Sequence, residues 1–457
     1  MRYIIANEKI KERQFQQIME GQQHIKKDSR YERWRWVVFA VTYLAYAGFY
    51  LTRKSFPVAK VGILNDPSID LSKGAMGLID GLYGAAYALG NFVWGMCGDK
   101  FGPRKVVLTG LFFSILAAVA MGLSSTAILM GVLFFIQGLC QSTGWAPLTK
   151  NVSYWFSRKE RGRIYGFWAT NYAIGGTVAG FFAGYMAQKF SSWRFAFFGP
   201  AAILAGIWVL FLILQKNRPE DIGLPSIEEY HGEPQDILDS HEKQQDEPEG
   251  SWKAIIKVFK NPMIIRMSVV YFLLKPVRYA ILFWGPVMIY EKLGTNIAQS
   301  AGISVIFEIA GPLGVIFAGY ASDKWFQSRR MPVIVISFFL LSVVLFLFNS
   351  LGSSGSKLMM GELLFAIGFL LYGPDTLISG ACAVDFGTKK GASSAAGLIN
   401  GLGSTGQILG MSLTGVISEH YGWGVLFSCF GVFVLIAALL LLPKWNAVPA
   451  TAKNSKS

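Results

Sequence analysis

Histidine and cysteine are scarce in this sequence of 457 residues, which contains four of each. The cysteines (Cys97, Cys140, Cys382 and Cys429) fall inside apolar segments with no paired spacing, so we expect neither a disulfide framework nor a metal site. The histidines lie in polar tails and loops, and no Walker, Rossmann or catalytic-triad pattern occurs. These absences predict a protein that is not an enzyme and needs no cofactor.

Charged residues are also few, at 15%, whereas 53% of the residues are hydrophobic and the mean hydropathy is +0.41. This balance excludes an ordinary soluble protein of this length and predicts a polytopic protein of the lipid bilayer. The net charge of +14 could suggest a nucleic-acid partner. The basic residues, however, cluster in short loops between apolar runs, which the positive-inside rule explains better. We therefore predict no nucleic-acid partner.

Twelve apolar segments are each close to the ~20 residues that a helix needs to cross a bilayer. Long apolar runs predict helices, because every backbone polar group in lipid must be paired within its own segment. The predicted fold is therefore an all-α membrane protein with twelve transmembrane helices. The segments are 36–54, 76–98, 104–123, 127–150, 164–187, 193–215, 263–290, 299–321, 331–350, 358–380, 392–417 and 422–443.

The first 35 residues are polar and basic without an apolar core, so we expect no cleaved signal peptide. With twelve spans, the basic loops all fall on one side, which predicts a multi-pass protein of the cytoplasmic (inner) membrane with both termini cytoplasmic. The predicted parts are an N-terminal tail at 1–35, a six-helix bundle at 36–215, a cytoplasmic linker at 216–261, a second bundle at 262–443 and a C-terminal tail at 444–457.

Two arginines lie within apolar segments, Arg53 in the first and Arg278 in the seventh. A guanidinium cannot become neutral, so at membrane depth it is costly unless it meets water, an anion or a partner. The two are 225 positions apart, and Asp99 and Asp323, which lie in similar loops, are 224 apart. Two pairs at nearly one offset predict a parallel duplication, with two pseudo-symmetric halves closing around one anion.

The first of these loops reads Gly-Met-Cys-Gly-Asp-Lys-Phe-Gly-Pro-Arg-Lys from Gly95 and resembles the signature of the major facilitator superfamily. The resemblance implies two six-helix bundles with a site between them, and a gating role for Asp99, Arg104 and Asp323. In physical terms, Asp99 can cap a neighbouring helix end and pair with Arg104, which would hold the halves in one state. A basic loop that only sets the topology is the alternative.

A narrower resemblance joins the chain to the organophosphate:phosphate antiporters. It lies in Tyr-Ala-Gly-Phe-Tyr-Leu-Thr-Arg-Lys-Ser-Phe from Tyr46, in the helix-five motif from Arg161, in Val-Arg-Tyr-Ala-Ile-Leu-Phe-Trp from Val277 and in the linker from Arg218. The likeness runs from about residue 31 to 443 and is nearest to hexose-phosphate transporters and their sensor relatives. It implies a secondary carrier that exchanges a hexose phosphate, such as glucose 6-phosphate, for inorganic phosphate by alternating access. We also expect a functional monomer.

In that family the arginines of helices one and seven hold the phosphate, which implies this role for Arg53 and Arg278. Their planar forks of donors fit phosphate oxygens bidentately. Tyr46 and Tyr50 are four residues apart, so they share a helix face that also carries Arg53 and suits a sugar phosphate. The alternative is that each arginine pairs with a buried carboxylate, for which the candidates are Asp80, Glu308 and Asp375.

Further candidates carry less weight. Tyr87, Tyr372 and Glu308 match family positions. Lys275 lies three residues before Arg278 on the same face, and Asp375 follows Tyr372-Gly-Pro. Lys275 and Asp375 either pair with each other or contact the phosphate and the sugar hydroxyls. A third possibility is that they extend to the membrane interface.

The sequence departs from the family where the helix-five histidine would be, because Tyr172 occupies that position. Tyr172 can donate a hydrogen bond but does not change charge near neutral pH, which weakens any proton-linked role there. A lysine that the family often carries in helix two is Asn91 here. Gly176, Gly180 and Gly184, like Gly406 and Gly410, recur every four residues and predict close helix packing.

Three other functions stay open at this point. One is a hexose-phosphate sensor of the same fold, and another is a glycerol-3-phosphate:phosphate antiporter. The third is a proton-coupled symporter that uses Asp80, Glu308 or Asp375 as its proton site.

Overall fold

The computed structural model describes residues 28–157, 160, 164–165, 167–231, 260–327, 329–351, 356–382, 386 and 392–447. No strand occurs among them. Residues 1–27 and 448–457 of the two predicted tails lie outside this range, as do the linker residues 232–259 and the start of the helix-five motif at Arg161.

Within the described ranges, six long helices form the first half. They are α1 (Ser29–Arg53, continued by Ser55–Ile63), α2 (Lys73–Phe101), α3 (Pro103–Leu123), α4 (Ala127–Gln141 and Trp145–Trp155), α5 (Asn171–Lys189) and α6 (Phe195–Leu214). The second half repeats this number. Its helices are α7 (Pro262–Leu293), α8 (Ile297–Ser304 and Ile306–Lys324), α9 (Arg330–Leu351), α10 (Lys357–Thr376, continued by a π-turn at Leu377–Ala381), α11 (Ala392–His420) and α12 (Gly422–Leu441).

The predicted all-α fold with twelve helices in two bundles is confirmed. By length and apolarity alone, eight of the described helices could cross a membrane: α3, α4, α6, α7, α8, α9, α10 and α12. The other four, α1, α2, α5 and α11, take part in the contacts between the halves described below. They also carry glycines and polar residues there, which lowers their hydropathy. The polarity of these helices therefore reflects their place in the protein interior.

Short polar side chains begin several helices. Ser72 accepts a hydrogen bond from the backbone of Ala75 at the start of α2, and Thr126 does the same for α4. Between α2 and α3, Gly102 has φ +82°, a conformation that favours glycine, and Pro103 then opens the next helix. These devices pair backbone groups that a helix end leaves open.

The two halves meet along α2 with α11 and along α5 with α8, where glycines allow close approach. A Cβ atom added at Gly81 would lie 1.9 Å from Ser412 Oγ. One added at Gly180 would lie 2.7 Å from Val305 Cγ2. Within the second half, a Cβ atom added at Gly410 would lie 2.4 Å from Pro276 Cα. The close packing predicted from these glycine spacings is therefore confirmed.

One end of the bundles, here called the sealed end, is closed by contacts between the halves. The Lys73 ammonium lies 3.0 Å from the Glu291 carboxylate, and the backbone N–H of Gly74 donates to Glu419 at 2.8 Å. Tyr290 contributes a hydrogen bond to Asn65 at 3.0 Å. The opposite end carries the start of α1 and the chain that follows α6, and is here called the tail end.

Residues 216–231, which the sequence assigns to the linker, are folded onto the first half. Two short helices, Pro219–Ile222 and Ile227–Tyr230, bury Leu224, Ile227 and Tyr230. The Tyr230 ring stacks on Tyr31 with ring centroids 3.9 Å apart. The burial of these apolar side chains explains why this part of the predicted linker packs against α1.

Candidate functional site

A polar cavity of about 670 Å³ lies between the halves. Its walls include Asn91 on α2, Asn400 and Ser404 on α11 and Ser379 after α10, all on the tail-end side of the two arginines. The sealed end is closed, so the cavity opens toward the tail end. A smaller extension of about 30 Å³, lined by both arginines, continues toward the sealed end and has room for roughly one or two waters.

Arg53 lies at the end of the first part of α1 and has no carboxylate partner among the described residues. Its Nε donates to Gln141 Oε1 at 3.0 Å, and Tyr83 donates to the same oxygen at 2.8 Å. The guanidinium lies 4.3 Å from the Tyr50 ring centroid and 4.9 Å from that of Tyr87. Its Nη2 is buried and has no hydrogen-bond acceptor in the described structure. Arg53 is thus held in place through its Nε, while its Nη2 has no acceptor.

Arg278 occupies the corresponding place on α7 but has an anionic partner. Its Nη1 donates to Asp375 Oδ2 at 2.6 Å, and Lys275 Nζ lies 3.5 Å from the other oxygen of Asp375. The guanidinium faces the rings of Tyr372 and Tyr279, with centroids at 4.4 and 5.6 Å. Each arginine therefore lies against two tyrosines, one on its own helix and one on a neighbouring helix.

The other two candidate carboxylates pair with lysines. Glu308 on α8 lies 3.1 Å from Lys54 Nζ, which also donates to the Leu282 carbonyl of the second half at 3.3 Å. Asp80 pairs with Lys60, and both side chains are fully buried. The alternative in which the arginines pair with carboxylates therefore describes Arg278 but not Arg53.

The predicted site tyrosines do not all face the cavity equally. Tyr50, Tyr87 and Tyr172 line both parts of the cavity, and Tyr372 lines the inner part. Tyr46 lines the wider part, and its ring also packs against Trp145 and Trp168 with centroids 5.2 and 5.7 Å away. Its role in binding a sugar phosphate stays a prediction.

The residues that sequence reasoning missed include Tyr83, Tyr279 and Gln407, which line the cavity, and Gln141, which holds Arg53 in place. Gln141 and Gln407 are amides in otherwise apolar helices, and that signal could have identified them. Tyr83 and Tyr279 carry no such signal, since aromatic residues in membrane helices are more often packing residues.

The predicted gating residues make their described contacts within their own halves. The Arg104 guanidinium donates to the Leu212 carbonyl at 2.6 Å, and its backbone N–H donates to Asn217. Asp323 pairs with Arg330 at 2.6 Å. The Asp99 side chain lies outside the described structure, so its predicted pairing with Arg104 stays a prediction. These contacts agree with an open tail end.

The charges around the cavity do not balance. Among the described residues in and next to it, four are cationic and two are anionic, which leaves an excess of two positive charges. Each of the two carboxylates lies within 4 Å of at least one cation. Arg53 has no carboxylate within this distance among the described residues. The site is therefore suited to an anion with two negative charges. The six residues are Arg53, Lys54, Lys275, Arg278, Glu308 and Asp375.

Two bundles of six helices around a central polar cavity, open at one end and sealed at the other, define a membrane transporter and not an enzyme. The chain belongs to the Major Facilitator Superfamily, whose family model matches residues 38–404. This confirms the resemblance seen in the loop after α2.

Curated relatives match along most of the chain. The glycerol-3-phosphate transporter of Bacillus subtilis is 31% identical and covers 92% of this chain and 94% of its own length. A probable hexose phosphate transport protein of Chlamydia pneumoniae is 30% identical over 96% of both chains. The membrane sensor protein UhpC of Escherichia coli is 30% identical over 92% of this chain and 94% of its own.

A solved structure shares the fold. The bacterial homolog of the human lysosomal transporter Spinster, in an inward-facing and unoccupied conformation, superposes with a TM-score of 0.72. It is 14% identical, and the match covers 90% of this chain and 97% of that one. At this identity the likeness shows the fold alone.

Proposed function

We propose that this protein exchanges a hexose phosphate, such as glucose 6-phosphate, for inorganic phosphate across the cytoplasmic membrane. The observation that carries the proposal is Arg53, which is buried, charged and without an anionic partner, in one cavity with Arg278. A guanidinium fork binds phosphate oxygens through charge-assisted bonds. The names of the relatives, which transport hexose phosphate or glycerol 3-phosphate, support the same ligand class.

Alternating access follows from two halves that meet at a central site. The tail end carries the described basic loops after α2 and α8, and on this proposal it faces the cytoplasm together with both termini. The structure then represents the state in which the ligand enters or leaves on the cytoplasmic side. Lys73 and Glu291 separate when the sealed end opens.

The positive charge of the empty site favours exchange over net uptake, because it opposes reorientation of the empty carrier. At an effective dielectric near 20, two unit charges about 8 Å apart repel each other by roughly 2 kcal/mol, with the cost of lost hydration in addition. Asp375 offsets part of this charge, but two positive charges stay uncompensated. A bound phosphate cancels them and bridges the two halves, so the loaded carrier should reorient faster than the empty one.

The test uses proteoliposomes that contain phosphate or buffer alone, with labelled glucose 6-phosphate added outside. We expect rapid uptake only where phosphate is present inside. Equal initial uptake in both preparations would contradict exchange. Uptake that depends on an imposed proton gradient would favour a symporter, with Asp80, Glu308 or Asp375 as the proton site.

A sensor of hexose phosphate is the second candidate, because the relative UhpC is named a membrane sensor. A sensor needs to bind the ligand but does not need to turn over. Binding of glucose 6-phosphate without counterflow in liposomes would favour it. Counterflow of glycerol 3-phosphate in preference to glucose 6-phosphate would instead place the chain with the relative from Bacillus subtilis.

A further inference from the structure

We propose that Asp375 is an internal anion that competes with the ligand for Arg278, so that the site selects doubly charged phosphate monoesters over singly charged anions. The proposal rests on the proposed function of the same cavity. It assigns Asp375 a role in selectivity that differs from a contact with the sugar.

The geometry places Asp375 where a ligand oxygen would otherwise lie. Its Oδ2 accepts the Arg278 Nη1 proton at 2.6 Å, in the distance range of a strong charge-assisted bond. The side chain is 7% exposed and lines the cavity that opens to the tail end. Its Oδ1 is buried and lies 3.5 Å from Lys275 Nζ.

The two arginines therefore differ in availability. Arg53 has a buried Nη2 without an acceptor, so a phosphate oxygen that reaches it displaces no anion from Arg53. Arg278 has its Nη1 committed to Asp375, and its Nε has no acceptor. A ligand that binds Arg278 end-on, through Nη1 and Nη2, must displace the Asp375 carboxylate from Nη1.

A second partner for the displaced carboxylate is already in place. Lys275 Nζ lies 3.5 Å from Asp375 Oδ1, and Lys275 precedes Arg278 by three residues on the same face of α7. A small rotation of the Asp375 side chain would exchange one cation for the other. Lys275 thus keeps the carboxylate paired when the ligand takes its place on Arg278.

The need to displace Asp375 from Arg278 sets a threshold for the charge of the ligand. A singly charged anion offers Arg278 no more than the carboxylate that it must displace, so it binds weakly. A phosphate monoester with two negative charges offers more, and it also balances the excess of two positive charges. When Asp375 is replaced by a neutral residue, the threshold disappears and the excess becomes three.

The experiment compares monomethyl phosphate with dimethyl phosphate as competitors for labelled inorganic phosphate on the purified protein. At about pH 8 the first carries two negative charges, because its second pKa is near 6, whereas the second carries one at any pH. In the wild-type protein we expect monomethyl phosphate to bind about a hundredfold more tightly. In Asp375→Asn we expect this ratio to fall about tenfold, chiefly because dimethyl phosphate binds better.

Glu308→Gln is the matched control, because it removes the same charge from a carboxylate that lines the same cavity and pairs with Lys54. It should strengthen the binding of both competitors, the doubly charged one at least as much as the singly charged one, so that their ratio does not fall. Asp375→Ser provides a second neutral variant if Asp375→Asn does not fold. Lys275→Met should weaken binding more in the wild-type background than in the Asp375→Asn background, because in the latter no displaced carboxylate needs a partner.

An unchanged ratio in both Asp375 variants, with phosphate still bound by the wild-type protein, would overturn this inference and leave the proposed function standing. The same is true if Glu308→Gln lowers the ratio as much as Asp375→Asn. Failure of the wild-type protein to bind either monomethyl phosphate or inorganic phosphate would instead overturn the proposed function itself.

Discussion

Lys60 on α1 and Asp80 on α2 form an ion pair from which solvent is wholly excluded. Lys60 also reaches the second half, where its Nζ donates to the Phe283 carbonyl at 3.2 Å and lies 3.7 Å from the Trp284 ring centroid. Phe283 lines the inner part of the cavity, so the pair lies directly behind the candidate site. The Asp80 carboxylate keeps a cation in place that connects the two halves.

Removal of one member of this pair should destabilise the protein strongly. Lys60→Met leaves the buried Asp80 carboxylate without its partner, which typically costs about 3–5 kcal/mol. The double variant Lys60→Met with Asp80→Leu removes both charges, and its free energy of unfolding should be much closer to that of the wild type. Denaturant or thermal unfolding in detergent measures both. If the double variant is as unstable as the single variants combined, the pair is not an isolated electrostatic unit.

Arg53→Lys and Arg278→Lys should each nearly abolish ligand binding while the protein still inserts and folds. Lysine keeps the charge but loses the bidentate fork. The expected loss is on the order of 2–4 kcal/mol, or about thirty- to a thousandfold in affinity. Binding of glucose 6-phosphate to the purified variants gives the answer, with a thermal unfolding curve as the control for folding. Near-normal binding by both variants would remove these residues from the site.

Selectivity for the sugar should depend on the tyrosines that line the cavity. A site that hydrogen-bonds hydroxyls rejects ligands that lack them, so hexose 6-phosphate should compete better than glycerol 3-phosphate. Tyr50→Phe and Tyr172→Phe each remove one such hydroxyl and should weaken hexose 6-phosphate more than inorganic phosphate. Tyr46→Phe should have a smaller effect, because Tyr46 packs against two tryptophans. Equal inhibition constants for the two esters would contradict this prediction.

The environment of Asp66, in the loop between α1 and α2, predicts that the stability of the sealed end depends on pH. Hydrogen bonds from Ser68 and from the Trp193 indole, at 2.6 and 2.9 Å, lower the pKa of its carboxyl to about 2. The folded pKa is below the ordinary value of 3.8, so this contribution to stability is complete above pH ~4 and is lost as the pH falls toward 2. Trp193 fluorescence should report this change, and Asp66→Asn should abolish it. A transition of the same size in Asp66→Asn would assign it to another group.

The sequence was sufficient to predict features whose energetic cost can be recognised from the neighbouring residues alone. An arginine in an apolar run needs an explanation wherever it lies, so Arg53 and Arg278 could be recognised without coordinates. The repeated offset then predicted the two halves. The pairing of Asp80 with Lys60 could not be predicted, because it depends on how α1 and α2 pack, and several basic residues were equally plausible partners. The docking of residues 216–231 was missed for a similar reason, since three buried side chains are hidden in a polar stretch.

The glycine contacts between α2 and α11 and between α5 and α8 bear on how fast the protein can change state. Where Gly81 faces Ser412 and Gly180 faces Val305, the glycines meet only short side chains, so we expect one half to slide past the other there with few changes of rotamer. The activation barrier for reorientation is then set chiefly by the few polar contacts that must break, such as Lys73 with Glu291. Turnover should therefore respond far more to single charges at the sealed end than to the large area over which the halves touch.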